Sequence, residues 1–437
     1  FRFVEYFSHG VDERTGIYAM STNFPAQLAN YLSGPDLNLT LKFNPMNALN
    51  VGFGIGWSLN LTAFALAGNI LALYTGETYK QTGVLPDGTP VFKENRLRTF
   101  TFEALGGGTY RVAHKNGLIE ILKTLGSGAE QVAMPHEMYS TTGHRIDLAY
   151  ENVGGRQMLK TITDSNGTLL LIERNADGSR VDIHFRPHDG DSGGPVATYT
   201  LHVNQQQLRE IITPTTEKAS WRIQYELIRG TLCVKEVDTP TGAWEAIQYL
   251  DAGHIVPGTP VLPNLPRVTR HVIHPDADPA NIIETTYTYD SHSSNVGRNF
   301  LGNGEVLNRD EGLDPLYAAS HTYRYGTTAH HLGDVLVAGK ATRATVRTVA
   351  RTYNRFHALL EEVTTQNNCI TSQQTEYYDE NKPIEQQLPQ FQMPKQSKSI
   401  WRLANNSNAY REEVRLSTFD TYGNQTEETD HNKVRTT

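Results

Sequence analysis

Residues 190–195 read Gly-Asp-Ser-Gly-Gly-Pro. A serine set between an aspartate and two glycines can act as a nucleophile while backbone N–H groups beside it hold the oxyanion of an acyl-transfer intermediate. Such a serine needs a histidine to take its proton and a carboxylate to orient that histidine. His114 in Val-Ala-His-Lys and Asp147 in Arg-Ile-Asp-Leu precede Ser192 in the order base, acid, nucleophile. His114, Asp147 and Ser192 are therefore the candidate catalytic set. Sixteen histidines also invite a metal reading. His330 and His331 are adjacent and would face opposite sides of a strand, and His271 and His274 flank a proline-containing turn. No His-Glu-x-x-His or Cys-x-x-Cys spacing accompanies them. The acidic group Asp310, Glu311 and Asp314 lacks the alternating ligands of a hand-type calcium loop. The Gly-x-Gly-x-Gly run at 52–56 opens no helix, so a dinucleotide reading fails its context, and no Gly-Lys-Ser/Thr phosphate loop is present. No cofactor and no metal are expected.

The elements that would position the serine argue against it. The hexapeptide is the nucleophile motif of the chymotrypsin-like serine proteases, but His114 lies beside an Asn116-Gly117 turn, where a buried base is out of place. The intervals from His114 to Asp147 and from Asp147 to Ser192 are short for two six-stranded barrels, and no cysteine flanks His114 or Ser192. Residues 187–195 read instead as a Pro/His/Asp/Gly surface loop joining strands 181–185 and 197–203. The expectation is a protein without an active site of its own.

Most of the chain alternates apolar and polar residues in short runs separated by Gly, Asn-Gly, Asp-Gly or Pro, and helical periodicity is scarce. Residues 108–122, 158–173 and 175–185 each turn at Asn-Gly or Asp-Gly, pairs that suit two-residue type I′ turns. Serial hairpins make an antiparallel meander. The stretch 39–61, LTLKFNPMNALNVGFGIGWSLNL, reads as strand, glycine-rich turn and strand. Its Gly52, Gly54 and Gly56 let another layer of backbone approach, and Trp57 begins the second strand.

The 437 residues are 38% hydrophobic and carry 39 basic and 47 acidic side chains, a formal charge of −8. With a mean hydropathy of −0.47, that balance suits a sheet with one wetted face. No basic stripe appears, so nucleic acid is not an expected partner. No run approaches the roughly 18 apolar residues of a membrane span. The two cysteines, Cys233 and Cys369, form no disulfide framework and read as buried small hydrophobes. Trp57, Trp221, Trp244 and Trp401 read as core. The chain opens Phe-Arg-Phe without a signal-peptide layout and closes in a strand-like run, so it is expected to be a piece of a longer protein whose polar residues 424–437 fray or borrow a partner.

Tyrosine-rich units recur from residue 148 onward: LAYE at 148–151, IQYE at 223–226, IQYLD at 247–251, TYTYD at 286–290, HTYRYG at 321–326, RTYN at 351–354, EYYDE at 376–380 and STFDTYGN at 417–424. The unit of aromatic, Tyr-Asp, turn and strand resembles the YD repeat, and the 52–61 block resembles the opening of the shell in Rhs/YD-repeat proteins. Val-Asp-Glu-Arg-Thr-Gly-Ile-Tyr at 11–18 resembles the lead-in of a bacterial Rhs subfamily, and residues 73–79, 112–122, 265–271, 299–304 and 310–317 fit further landmarks. The resemblance implies an all-β fold, an antiparallel hairpin meander of YD repeats forming a curved, spiral β-shell. It implies a lead-in over 1–38, a shell-opening region over 39–150 and degenerate repeats over 151–437. Its fold-defining residues are Gly52, Gly54, Gly56, Trp57, Tyr287, Tyr289, Asp290, Tyr323 and Tyr325. Relatives of this kind, including the B and C components of insecticidal toxin complexes and the teneurins, share the shell. The implied role is to enclose and shield a C-terminal toxin of a secreted bacterial protein. The implied partners are a toxin or C-terminal segment of the same parent, delivery-system proteins or cell-surface glycans. A glycan- or protein-binding module using the Tyr-rich outer face is the alternative. The Asp/Pro/Gly-rich core that carries self-cleavage in the family is absent from this sequence, as is a toxin region.

Overall fold

The computed structural model describes residues 7–254, 264–276, 278, 280–290, 324–338, 340–378 and 381–436. Among them there is no α-helix, and helical geometry is limited to single 3₁₀ turns such as Gly128–Glu130. A 26-stranded antiparallel sheet carries most of the chain. From Phe100–Gly106 to Arg435–Thr436 its strands follow one another in chain order. Alternation produces it. In Phe100–Gly106, Phe100 and Phe102 are buried while Thr101 and Glu103 face water, and in Arg180–Phe185 the buried residues are Val181, Ile183 and Phe185. One face of each strand enters a core and the other stays wet.

The chain divides into two compact units. The first comprises Phe1–Gly10, Tyr18–Leu227 and Thr231–Gly242; the second comprises Val11–Ile17, Ile228–Gly230 and Ala243–Thr437. In the first, Tyr18–Asn23, Thr40–Phe43 and Trp57–Leu59 pair in that order. A separate hairpin run, Ala63–Ala65, Ile70–Ala72 and Thr78–Lys80, joins the meander through Val132–Tyr139. Phe64, Leu71, Phe92, Phe100, Phe102 and Leu122 form a core beneath it. Its rings meet edge to face, Phe64 and Phe102 at 5.4 Å, the arrangement the ring quadrupole favours. In the second unit the longest hairpin joins Arg324–Val337 to Lys340–Asn354, from Arg324 opposite Asn354 to Val337 opposite Lys340. Its later strands bury less, and Tyr410, Leu416 and Tyr422 are exposed.

The Asn-Gly and Asp-Gly pairs close hairpins, but not as the type I′ turns expected. In each pair the glycine alone takes positive φ, 91° at Gly117, 146° at Gly167 and 69° at Gly178, and Asn116, Asn166 and Asp177 do not. The reason is local. Asn116 Oδ1 accepts the Leu118 N–H at 3.1 Å and Asp177 Oδ1 the Ser179 N–H at 2.9 Å, and such Asx turns give the backbone a local alternative to the type I′ geometry. The two-residue turns with both centres left-handed lie elsewhere. Gly154 and Gly155 (φ 61° and 88°) make one between Val153 and Arg156. Gln205 and Gln206 (φ 50° and 60°) make another between Asn204 and Gln207.

Three smaller expectations also change. Cys233 is buried, with its thiol pushed up to about 12 mainly by that burial, but Cys369 is exposed and sits opposite Gln366 where a hairpin turns. His271 and His274 flank no turn, since both lie within the strand Leu265–His274. Trp57 is fully buried, but Trp401 is 37% exposed, with the Arg411 guanidinium 5.6 Å above its ring.

Two non-glycine residues in the left-handed region cost on the order of 1 kcal/mol each. The double variant Gln205→Asn/Gln206→Gly should therefore raise stability by about 1 kcal/mol. An increased denaturant midpoint at unchanged m-value is the expected readout.

Candidate functional site

The three candidate catalytic residues have separate surroundings. His114 ends the strand Thr109–His114 and is buried, and its Nε2 lies 2.7 Å from Glu120 Oε2. Thr62 donates its hydroxyl to that same oxygen at 2.6 Å. Asp147 lies at the surface, 3.2 Å from Arg145. Ser192 sits in the turn Asp191–Gly193 at φ 60°. Among the described residues no hydrogen bond joins His114 to Asp147 or Ser192. The loop also uses its own N–H groups, Gly190 donating to Gly194 O at 2.8 Å and Gly193 to Gly190 O at 3.1 Å. The carboxylate beside His114 is thus Glu120, which the sequence reading missed. The signal was a single Glu on an otherwise apolar strand face, two positions past the residue opposite His114. The opposite diagonal brings Glu245, two positions before the residue facing His271, to that histidine at 2.7 Å.

His330 and His331 meet the hydroxyls of Thr288 and Thr285 at 3.2 and 3.1 Å. Among the described residues no three His, Cys, Asp or Glu side chains gather as a metal site. Asp310, Glu311, Asp314 and Tyr323 lie outside the described residues, as do the landmarks at 299–304 and 310–317.

The glycine block builds a docking contact within the first unit. Residues 51–56 form an irregular turn rather than a pleated strand, and Gly52, Gly54 and Gly56 take φ of 100°, 101° and 85°. A Cβ on Gly54 would stand 2.8 Å from Leu208 N. The neighbouring Ile55 N–H donates to Gln206 O at 2.7 Å. Backbone meets backbone here, and the partner is the strained Gln205–Gln206 turn. A Cβ on Gly52 would meet Met158 Sδ at 2.6 Å and Arg174 Nε at 2.8 Å. The Arg174 guanidinium packs 5.3 Å over Phe53 and donates to Glu151 Oε1 at 2.8 Å and Leu159 O at 3.0 Å. Trp57 follows, donating its indole N–H to the Tyr225 hydroxyl at 2.9 Å, with Phe43 5.5 Å from its ring.

The repeated tyrosines share one geometry at four places. Where Val132–Tyr139 meets Arg145–Val153, the last described pair is Glu137 with Asp147, and His136 is the extra residue of a bulge. Three residues beyond Asp147, Tyr150 donates its hydroxyl to Pro135 O at 2.8 Å. The pattern recurs with Glu210 opposite Arg222, Arg209 extra, and Tyr225 donating to Leu208 O at 2.8 Å. It recurs with Arg270 opposite Thr286, Thr269 extra, and Tyr289 donating to Val268 O at 2.8 Å. It recurs again with Glu361 opposite Gln374, Leu360 extra, and Tyr377 donating to Leu359 O at 3.1 Å. In each case the ladder stops at the bulge, and the phenol of the departing strand satisfies the carbonyl just before it. Burial raises all four phenols above their usual titration range, so they remain protonated donors.

Of the other tyrosines expected to define the fold, Tyr287 and Tyr325 lie in the second unit. Burial pushes Tyr287 up to about 12. The Tyr325 hydroxyl lies 2.9 Å from His357 Nδ1, and its ring stacks 5.2 Å from Tyr353. Asp290 pairs with Gly326 through the backbone.

No family model matches this chain, and no curated protein does. Solved structures similar to it include the TcdB2–TccC3 crystal structure, at 10% identity and a TM-score of 0.34, covering 94% of this chain and 33% of that one. Another is the Photorhabdus luminescens Tc holotoxin pore with a TccC3 variant, at 10% identity and a TM-score of 0.28, covering 99% and 29%. A third is the N-terminal domain of the effector SpvB from Salmonella typhimurium strain LT2, at 13% identity and a TM-score of 0.12, covering 89% and 98%. The chain thus spans about a third of the length of the Tc chains. Similarity at this level fixes neither fold nor function.

Gly54→Ala should cost on the order of 3 kcal/mol, combining backbone strain with overpacking. Gly76→Ala should cost clearly less, because Gly76 has a similar φ of 107° but nothing within 4 Å of its Cβ position. Equal losses in denaturation midpoint would refute the close approach. Tyr225→Phe should cost about 2 kcal/mol, since it removes a donor to Leu208 and the acceptor for Trp57. Tyr377→Phe, at a half-buried site where the abandoned carbonyl is less costly, should cost about half that by the same measurement.

Proposed function

We propose that this chain is a section of a β shell of the Rhs/YD-repeat type, with a structural role in enclosing and shielding a toxin or other C-terminal segment of its parent protein until delivery. The observation that carries the reading is the fourfold recurrence of the tyrosine closing the ladder at a bulge, set in a meander whose strands follow chain order. The device recurs along the meander from Tyr150 to Tyr377, which is how a repetitive sheet reuses one local solution. The glycine block supports it as an opening piece, because it gives the first strands a fixed backbone-to-backbone seat. His114, Asp147 and Ser192 are assigned no catalytic role. On this reading the protein acts outside the producing bacterium. Its partners are the enclosed segment and the delivery machinery.

The test is protection of the enclosed segment. With the protein expressed from its full reading frame and treated with trypsin under native conditions, mass spectrometry should find the segment that follows this chain intact until the shell is denatured. Cleavage of that segment as fast in native as in denatured protein would refute the shell reading.

A further inference from the structure

The loop Val11–Ile17 packs with the second unit and is held in one shape by its own bonds. Asp12 N–H donates to Ile17 O and Gly16 N–H to Asp12 O, both at 2.7 Å. Asp12 Oδ1 accepts the N–H groups of Arg14 and Thr15 at 2.9 and 3.3 Å. Every residue from Glu13 to Gly16 then engages the second unit. Glu13 forms an ion pair with Arg351, and Arg14 reaches the Tyr325 hydroxyl at 3.4 Å. Val268 N–H donates to Gly16 O at 2.8 Å, and Gly16 (φ +71°) lies against the Tyr289 ring, which fills the place of a Cβ. Thr15 O lies 2.9 Å from His254 Nε2, which donates to it. His254 is only 3% exposed.

We propose that His254 is an acid-sensitive latch for the Val11–Ile17 loop. Neutral, it holds the Thr15 carbonyl in a buried site. Protonated, it places a second cation beside the Arg267 guanidinium there, and the loop lets go.

The groups facing His254 support that direction. Arg267, on Leu265–His274, packs 4.8 Å over the Tyr289 ring, and the edge of that ring meets His254 at 5.1 Å. On the imidazole's own strand, Asp251 is turned to Arg229 at 3.7 Å. On the loop, Asp12 is committed to its own turn and Glu13 to Arg351. The Thr15 carbonyl favours the imidazolium, but burial first and Arg267 second outweigh it and push His254 down to about 4 from 6.5. A released His254 titrates near the ordinary value, so the latch is at full strength above about pH 6.5 and weakens as pH falls toward 4. Glu13 acts with the opposite sign. Burial raises its pKa, so the latched form takes that proton first and acid favours the closed loop through Glu13.

The inference stands independently of the shell reading, and amide exchange on the full chain tests it. Corrected for intrinsic rates, protection over Val11–Ile17 should fall roughly a hundredfold between about pH 7.5 and pH 4, the shift the two pKa values imply. Protection over Lys340–Asn354 should hold. His254→Gln keeps a donor without titrating and should abolish the acid loss, leaving only the opposite trend from Glu13, and Glu13→Gln should retain the acid loss. Unchanged wild-type protection, or the same acid loss in H254Q, would overturn the proposal. If the variant does not fold, the wild-type His254 ring titration followed by NMR decides. A midpoint well below 6.5 that coincides with loop release supports the latch, and an ordinary midpoint with the loop retained refutes it.

Discussion

A meander must stop pairing somewhere along every strand, and each stopping point strands a carbonyl that has lost its donor. Leaving such a group buried and unbonded costs about 1–3 kcal/mol, so a sheet of this size depends on how its ladders end. At four places here they end on tyrosine. A bulge interrupts the ladder, and the phenol three residues past the last pair reaches back to the carbonyl before the bulge, at Pro135, Leu208, Val268 and Leu359. Phenylalanine could fill the same space but not the bond. Tyrosine supplies both the strand preference and the donor.

The second constraint is close approach. The Gly52–Trp57 turn works because its glycines sit in the left-handed region and carry no Cβ where Leu208, Arg174 and Phe43 stand. It is tied to the tyrosine device directly, since Trp57 bonds the hydroxyl that closes the Leu208 carbonyl. The Gln205–Gln206 turn adopts an unfavourable backbone in the same contact. Ile55 bonds its carbonyl, so the seat that needs the turn also helps hold it.

Buried polar groups follow the same economy. Glu120 and Glu245 are nearly inaccessible, and each meets a histidine on the neighbouring strand at 2.7 Å. A carboxylate placed in such a core without a hydrogen-bonding partner would be untenable. The lead-in loop applies the rule to the backbone, with His254 and Val268 bonding the carbonyls of Thr15 and Gly16.

The all-β class and the hairpin order were legible in the sequence, because a period of two and Gly-punctuated turns are local properties. So was the close approach of other parts of the chain to the glycine block, although not the block's conformation. The turn types were misjudged at Asn116 and Asp177 because their side chains bond the next residues but one, a choice that composition does not reveal. What only the tertiary structure decided was partnership. His114 faces Glu120 rather than Asp147 because strand register sets diagonal neighbours. Ser192 remains a loop residue because Gly190 and Gly193 donate their N–H groups within the loop. The recurring Tyr-Asp units were visible as a pattern, but the reason for the tyrosine was not. Its bond runs to a strand 15 to 21 residues away, and which carbonyl is left unpaired depends on where the bulge falls.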